Sequence, residues 1–222
     1  MKIIGHRGAK GLAPENTLAS FKKALEHGVD EIELDVRVTL DNVAVVQHDP
    51  TLHDPAGGHL EVATTPYREL LAHKPTLVTF EAAMHAINRQ VPVLVEVKPG
   101  VVTAPVITVI KKLQKDGWQD QDLFLGSFCF SVLKELHSAL PAITKVVNER
   151  WSGVRASYRA NRLGTKRLNM NQRWLWSGFI ASMTRAGYEL APYTLNDVSK
   201  AKRWAKYGLT AVITDFPDRY QK

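Results

Sequence analysis

Residues 2–36 read KIIGHRGAKGLAPENTLASFKKALEHGVDEIELDV. A short apolar run, Ile3-Ile4, stops at Gly5-His6-Arg7-Gly8. An amphipathic stretch follows, NTLASFKKALEHG at 16–28, with Leu18, Phe21, Ala24 and Leu25 spaced to share one helical face. Asn16 is placed to cap that helix and Gly28 to end it. EIELDV at 31–36 then alternates polar and apolar residues with the period of a strand. The stretch therefore reads as one strand-helix-strand unit.

The same alternation continues outward to the end of the chain. Strand-like runs lie at 2–6, 31–36, 43–48, 93–98, 123–128, 143–147, 188–194 and 210–215. Between them fall helix-like segments such as TFEAAMHAINRQ, APVITVIKKLQKDG, SVLKELHSAL, WLWSGFIASMTRAG and NDVSKAKRWAKYG. Strands alternating with helices imply a parallel sheet covered by helices. Seven or eight such units predict a (β/α)8 TIM barrel, an α/β fold in a single domain over 1–222. A doubly wound open sheet is the competing architecture. No Gly-rich dinucleotide loop follows the first strand, which leaves a Rossmann site unsupported. Residues 49–76, rich in Pro, Gly, His and Thr, break the rhythm. They are read as a short insertion after the second strand, containing at most one helix near 66–72.

The 222 residues are 45% hydrophobic and 23% charged, an ordinary globular composition. The formal net charge of +7 favours anionic partners without choosing among them. Basic residues are densest between Arg150 and Arg173. Trp151, Tyr158, Trp174 and Trp176 in that stretch have spacings that predict core packing. The basic stretch is read as a solvated face, so no nucleic-acid partner is expected. One cysteine, Cys129, excludes a disulfide framework and a cysteine zinc site. No run reaches the ~20 apolar residues of a membrane span, and no stable membrane insertion is expected. A cytoplasmic location is the simplest expectation. Oligomeric state leaves no mark in the sequence.

In a barrel, functional groups collect at the carboxyl ends of the strands. Here those ends are consistently polar. The first carries His6-Arg7, the second Glu33 and Asp35, the run near 48 His48-Asp49, the next Glu96 and Lys98, and the last Thr214-Asp215. Residues two apart on a strand share a face. Glu33, Asp35 and Glu96 would therefore repel one another, and a hard divalent cation with oxygen ligands resolves the conflict. They are the candidate metal ligands, with Mg²⁺ or Ca²⁺ as the candidate ion. His6 and His48 each follow an apolar run directly and could act as general acid and base, because imidazole titrates near neutral pH. His27, His53, His59, His73, His85 and His137 lie in helices or in the insertion and receive no role.

GHRGAKGLAPENTLASF, GVDEIELDVRVTLDNVAVVQHD, PTLVTFEAAM, VPVLVEVK and YTLNDVSKAKRWAKYGLTAVITDFPD together resemble the glycerophosphodiester phosphodiesterase family. The resemblance covers both ends and most of the first hundred residues, while 129–187 carries little of it. It implies an enzyme, a TIM-barrel hydrolase that cleaves glycerophosphodiesters to sn-glycerol 3-phosphate and an alcohol with Mg²⁺ or Ca²⁺. It also implies that His6 and His48 form the acid-base pair and that Glu33, Asp35 and Glu96 hold the metal. Arg7 and Lys98 would bind phosphoryl oxygens, Arg7 through its planar fork, with Gly5 and Gly8 allowing close approach. Glu15 and Asn16 would shape the rim behind His6. The family's Trp-Thr-Val-Asn segment is Tyr193-Thr194-Leu195-Asn196 here, and its Arg-Thr-Thr-like stretch after the His-Asp pair is absent. Both departures bear on the alcohol side of the substrate. Two other readings remain: a lysophospholipase D-type diesterase acting on lysophospholipids, and a non-catalytic module binding anionic lipid or nucleic acid.

Overall fold

The second strand shows how the chain folds. Ile32, Leu34 and Val36 are fully buried in the layer between barrel and helices, while Glu31, Glu33 and Asp35 point the other way, into the barrel. A strand sandwiched between a helical coat and a filled barrel is buried on both faces, and alternation decides which face each side chain meets. The computed structural model describes residues 1–53 and 58–220.

In chain order the elements begin with β1 (Lys2–Gly5), α1 (Leu18–Glu26) and β2 (Glu31–Val38). Three short strands follow, β3 (Ala44–Val46), β4 (Thr51–His53) and β5 (His59–Glu61), then α2 (Tyr67–His73) and α3 (Phe80–Ile87). The middle of the chain forms β6 (Val93–Val97), α4 (Thr103–Lys115), β7 (Leu123–Ser127), α5 (Phe130–Ala139), β8 (Thr144–Glu149) and α6 (Gly153–Arg162). It ends with β9 (Arg167–Asn171), α7 (Ser177–Arg185), β10 (Glu189–Tyr193), α8 (Val198–Ala205) and β11 (Ala211–Thr214).

Eight strands run parallel in the order β10-β9-β8-β7-β6-β2-β1-β11. The two ends of that order meet, joined by the Leu195 N–H donating to the Ile213 carbonyl at 2.8 Å. The result is a nearly closed (β/α)8 barrel. Ile4, Leu94, Val146, Ala191, Ala211 and Ile213 fill its interior. Below them Arg167 reaches both Glu31 carboxylate oxygens at 3.0 and 3.1 Å, so the base of the barrel is tied by a buried ion pair. Outside, helices add layers such as Phe80, Met84 and Ile87 of α3, all fully buried. Truncating one such side chain to Ala costs roughly 2–5 kcal/mol.

Four sequence expectations need correction. The run at 43–48 is no barrel stave: β3 pairs antiparallel with β2, Val36 opposite Val46. The missing stave is β9, RLNMN, which local reading passes over because only Leu168 and Met170 are apolar. These two face the helical layer, while Asn169 faces the barrel. Thr17, not Asn16, caps α1, its hydroxyl accepting from the Ser20 N–H at 3.2 Å. Leu18 is exposed despite its helical spacing. Finally, Trp151, Tyr158, Trp174 and Trp176 lie on the surface. The inward positions of α6 are Ala156 and Ala160, whose small side chains bring the helix close to the barrel and leave its larger residues outside.

Part of the 49–76 segment, residues 54–57, lies outside the described residues, as do 221–222. Elsewhere in that segment β4 and β5 form an antiparallel pair and α2 follows near the expected position. Among the described residues, no helix is long and apolar enough to cross a membrane.

Candidate active site

Parallel strands in one barrel bring residues from distant parts of the chain to one rim. Asp35 of β2 is in register with Glu96 of β6. One carboxylate oxygen each from Glu33, Asp35 and Glu96 lies within 4.8 Å of the others, and all three residues are buried. Burial, then the nearby Asp35 and Glu96 charges, hold the Glu33 carboxyl well above its usual range. Burial and Asp35 also raise Glu96. Burial acts against ionisation of Asp35 too, yet Lys98 and Arg7 overcome it and hold Asp35 at about 2.

The counter-charges are built in. Lys98 Nζ lies 2.6 Å from Asp35 Oδ1 and also donates to Glu96 Oε1. Burial lowers the Lys98 ammonium's affinity for its proton, but Asp35 and Glu96 outweigh it and raise the pKa. The Arg7 guanidinium is shared: Nη1 donates to Glu15 Oε1 at 2.8 Å, and Nε lies 3.2 Å from Asp35 Oδ2. Glu15 is held in turn by Lys10 Nζ at 2.7 Å. The carboxylates therefore converge as expected, but two cations already neutralise part of their charge.

The turn after β1 explains the two glycines. Arg7 and Gly8 adopt positive φ, 51° and 84°. That conformation aims the Arg7 N–H at Glu33 Oε2, 2.8 Å away, and the Gly8 N–H at the Glu33 carbonyl, 3.1 Å away. A Cβ on Gly8 would fall 2.5 Å from Ser20 Oγ, and one on Gly5 would fall 2.4 Å from the Gly8 carbonyl oxygen. The close approach is thus of protein to protein. Asn16, also at positive φ, sends its amide to Asp35 Oδ2 at 2.9 Å, so it orients a carboxylate from inside the rim.

Each candidate imidazole is steered by a carboxylate. His6 Nδ1 lies 2.6 Å from Asp215 Oδ1, and Asp215 accepts from Asn196 Nδ2 at 2.9 Å through its other oxygen. Burial works against ionised Asp215, but the hydrogen bonds from His6 and Asn196 lower its pKa. His48 Nδ1 lies 2.7 Å from Asp49 Oδ1. Burial pushes the His48 pKa down, which favours the neutral ring. With Nδ1 engaged in both, Nε2 is the nitrogen each ring offers to a ligand.

His6, Arg7, Glu33, Asp35, His48, Glu96, Lys98 and Tyr193 all line one cavity of about 640 Å³ at the carboxyl end of the barrel. Such a volume suits a small ligand. Three hard carboxylate donors without a thiol in the cavity suit Mg²⁺ or Ca²⁺.

Residues 6–219 match the glycerophosphoryl diester phosphodiesterase family. This chain belongs to that family. A glycerophosphodiester phosphodiesterase of Bacillus altitudinis is 27% identical over 237 residues, covering 100% of this chain and 97% of the relative. A phosphodiesterase of Oleispira antarctica, solved in complex with the product sn-glycerol-3-phosphate, superposes with a TM-score of 0.86 at 27% identity, covering 99% of this chain and 94% of that one. The human lysophospholipase D GDPD1 is 34% identical over 113 residues, 50% of this chain and 36% of the human protein. The relatives are hydrolases, and membership makes this chain an enzyme of the phosphodiesterase class.

Within this phosphodiesterase frame, the geometry gives roles to residues that sequence reading left without one. Asn148 Nδ2 donates to Glu96 Oε2 at 2.8 Å, and Asn169 Nδ2 donates to Asn148 Oδ1 at 2.9 Å. This amide chain orients Glu96 from β8 and β9. Asp215 and Asn196 orient His6. Phe128, Arg150 and Trp151 form the wall of the cavity beside Tyr193, with Phe128 edge-on to Tyr193 at 5.8 Å. Tyr193 donates its hydroxyl to the Glu149 carbonyl at 3.0 Å, and burial raises its pKa. Asp215 already stands out at its strand end, and Asn148 could be found in the same way. Asn169 could be found only once β9 was recognised.

Proposed function

We propose that the chain hydrolyses glycerophosphodiesters to sn-glycerol 3-phosphate and an alcohol, using His6 and His48 as the acid-base pair. The observation that carries this reading is the pairing of two imidazoles, each oriented at Nδ1 by a carboxylate, on one cavity with a buried carboxylate triad. The attacking oxygen, that of water or of the neighbouring glycerol hydroxyl, gives its proton to one imidazole as it bonds to phosphorus. Attack by the hydroxyl leaves a cyclic phosphate that water then opens to glycerol 3-phosphate. The other imidazole donates a proton to the departing alkoxide as the phosphorus–oxygen bond breaks. Each positioned transfer contributes ~10²–10⁴ in rate.

Glu33, Asp35 and Glu96 are proposed to hold Mg²⁺ or Ca²⁺, which when bound supplies Lewis-acid withdrawal of charge from the phosphoryl oxygens. Asn16, Asn148 and Lys98 orient or neutralise those carboxylates. Arg7 and Lys98 bring positive charge to the cavity where the phosphodiester sits. Glu15 holds the Arg7 fork, and Tyr193 faces the alcohol side.

Purified protein assayed with glycerophosphocholine and glycerophosphoethanolamine should release glycerol 3-phosphate, and EDTA should suppress it. His6→Ala and His48→Ala should each lose roughly 10²-fold or more of kcat. Release unaffected by EDTA would remove the metal, and near wild-type turnover of either variant would remove the acid-base pair.

A lysophospholipase D-type activity is the second reading, favoured by the apolar wall of Phe128, Trp151 and Tyr193 beside the triad. Turnover that rises with acyl-chain length would support it.

A further inference from the structure

Residues 150–188 contain eight Lys and Arg and no Asp or Glu, while the rest of the chain holds all 22 acidic residues. The segment therefore carries a formal +8 and the rest of the chain −1, although Arg167 lies inward, paired with Glu31 at the barrel base. The segment spans the loop after β8, α6, β9, the 3₁₀ turn Gln172–Trp174 and α7.

The same surface is unusually apolar. Trp151, Tyr158, Trp174 and Trp176 are 53–63% exposed, and Val154 is 84% exposed. Two sets of contacts hold parts of this surface. Phe179 of α7 packs against Gly153, where a Cβ would meet its ring at 2.5 Å, and its ring lies 5.3 Å from that of Trp176. That contact joins the start of α6, with Trp151 and Val154, to the start of α7. Tyr158 lies 6.5 Å from Phe130 on the α5 side. Arg155 and Arg159 share Glu149, while Arg150, whose guanidinium lies 5.2 Å from the Phe128 ring, Arg162 and Arg173 are exposed residues of the same segment.

Exposed tryptophans in a segment rich in arginine match a specific environment. Indole rings are favoured at the headgroup level of a bilayer, where one edge is apolar and the other wet. Arginines beside them meet the phosphates of an anionic leaflet. A nucleic-acid platform would also use rings and arginines, but it stacks bases on π-faces. Here the most exposed apolar member is Val154, which has none, and it stands on the outer face of a helix. We propose that the α6–α7 face docks on the surface of anionic phospholipid bilayers. Because Trp151 and Arg150 belong both to this face and to the cavity wall, docking holds the cavity mouth at the lipid headgroups.

The full chain, mixed with vesicles of phosphatidylcholine alone or with added phosphatidylglycerol, should co-sediment with the anionic vesicles. Its tryptophan emission should shift to the blue, and added salt should weaken binding. The double variant Val154→Glu/Arg173→Glu alters exposed residues outside the cavity lining. It should bind those vesicles roughly tenfold or more weakly, since it removes a basic contact and adds two repelling carboxylates. Its far-ultraviolet circular dichroism and its turnover of soluble glycerophosphocholine should match the parent. Absence of co-sedimentation, or equal binding by the double variant, overturns the proposal. So does salt-sensitive binding of a single-stranded oligonucleotide that the variant loses while vesicles remain unbound. Docking without turnover would leave this inference standing and remove the hydrolytic reading.

Discussion

His6 depends on a residue at the far end of the chain. Asp215 accepts from His6 at Nδ1 with one oxygen and from Asn196 with the other, so the ring is oriented by a carboxylate that is itself fixed. Asp215→Asn keeps the shape and removes the carboxylate that holds His6 at Nδ1. It should lower kcat roughly tenfold to a hundredfold with KM little changed, less than the ~10²–10⁴ expected on deleting the imidazole. Steady-state kinetics on glycerophosphocholine, with circular dichroism to confirm folding, checks this. Unchanged kcat would mean that Asp215 serves the structure alone. Lys98 has a comparable double character. The family resemblance implies a phosphate contact for it, yet its ammonium lies against Asp35 and Glu96. Sequence position located the residue, but only the folded geometry reveals what it touches first.

At the scale of an element, β8 carries a buried lysine away from the site. Lys145 Nζ donates to the Leu140 carbonyl at 2.7 Å and to the Ile143 carbonyl. Burial lowers its pKa from the usual 10.5 to about 8. The unfolded chain keeps this proton up to about pH 10.5 and the folded chain only up to about pH 8, so the unfolded state binds more protons between these values. Stability contributed by the neutral amine is complete above the unfolded pKa and is lost as pH falls through the folded one. Urea unfolding of the parent and Lys145→Met across this range should show the difference moving in favour of the parent as pH rises. A difference independent of pH would contradict it. The element β9 makes the complementary point about legibility. Its alternation of Leu168 and Met170 with Arg167, Asn169 and Asn171 is a strand pattern, but two of its polar residues pair with groups from elsewhere in the barrel. Arg167 meets Glu31, 136 residues away, and Asn169 meets Asn148.

For the molecule as a whole, the proposed metal site would couple the triad to stability. A cation bound by the folded chain and not by the unfolded one stabilises the fold by about 2.7 kcal/mol at a hundredfold excess over its Kd. Mg²⁺ or Ca²⁺ should therefore raise Tm, and EDTA should reverse the rise. Glu33→Gln should abolish the shift while leaving the metal-free protein at least as stable as the parent, because burial beside Asp35 and Glu96 already disfavours ionised Glu33. Differential scanning fluorimetry with and without EDTA reads both effects. A rise in Tm retained by the variant would place the cation elsewhere.

Much of this protein is determined locally. Residues 31–36 alternate because a strand has period two, and that alone puts Glu33 and Asp35 on one face. The amphipathic spacing of the segments between strands likewise selects helices and hence a coated parallel barrel. Barrel closure decided the rest. It joined His6 to Asp215 across 209 positions and Glu96 to Asn148 across 52. It made β9 a stave, and it left the aromatic residues of 151–176 facing outward. Side-chain direction along one element is a property of backbone geometry, whereas which polar groups meet, and which apolar face is covered, depends on neighbours that the chain acquires only when the ring of strands forms.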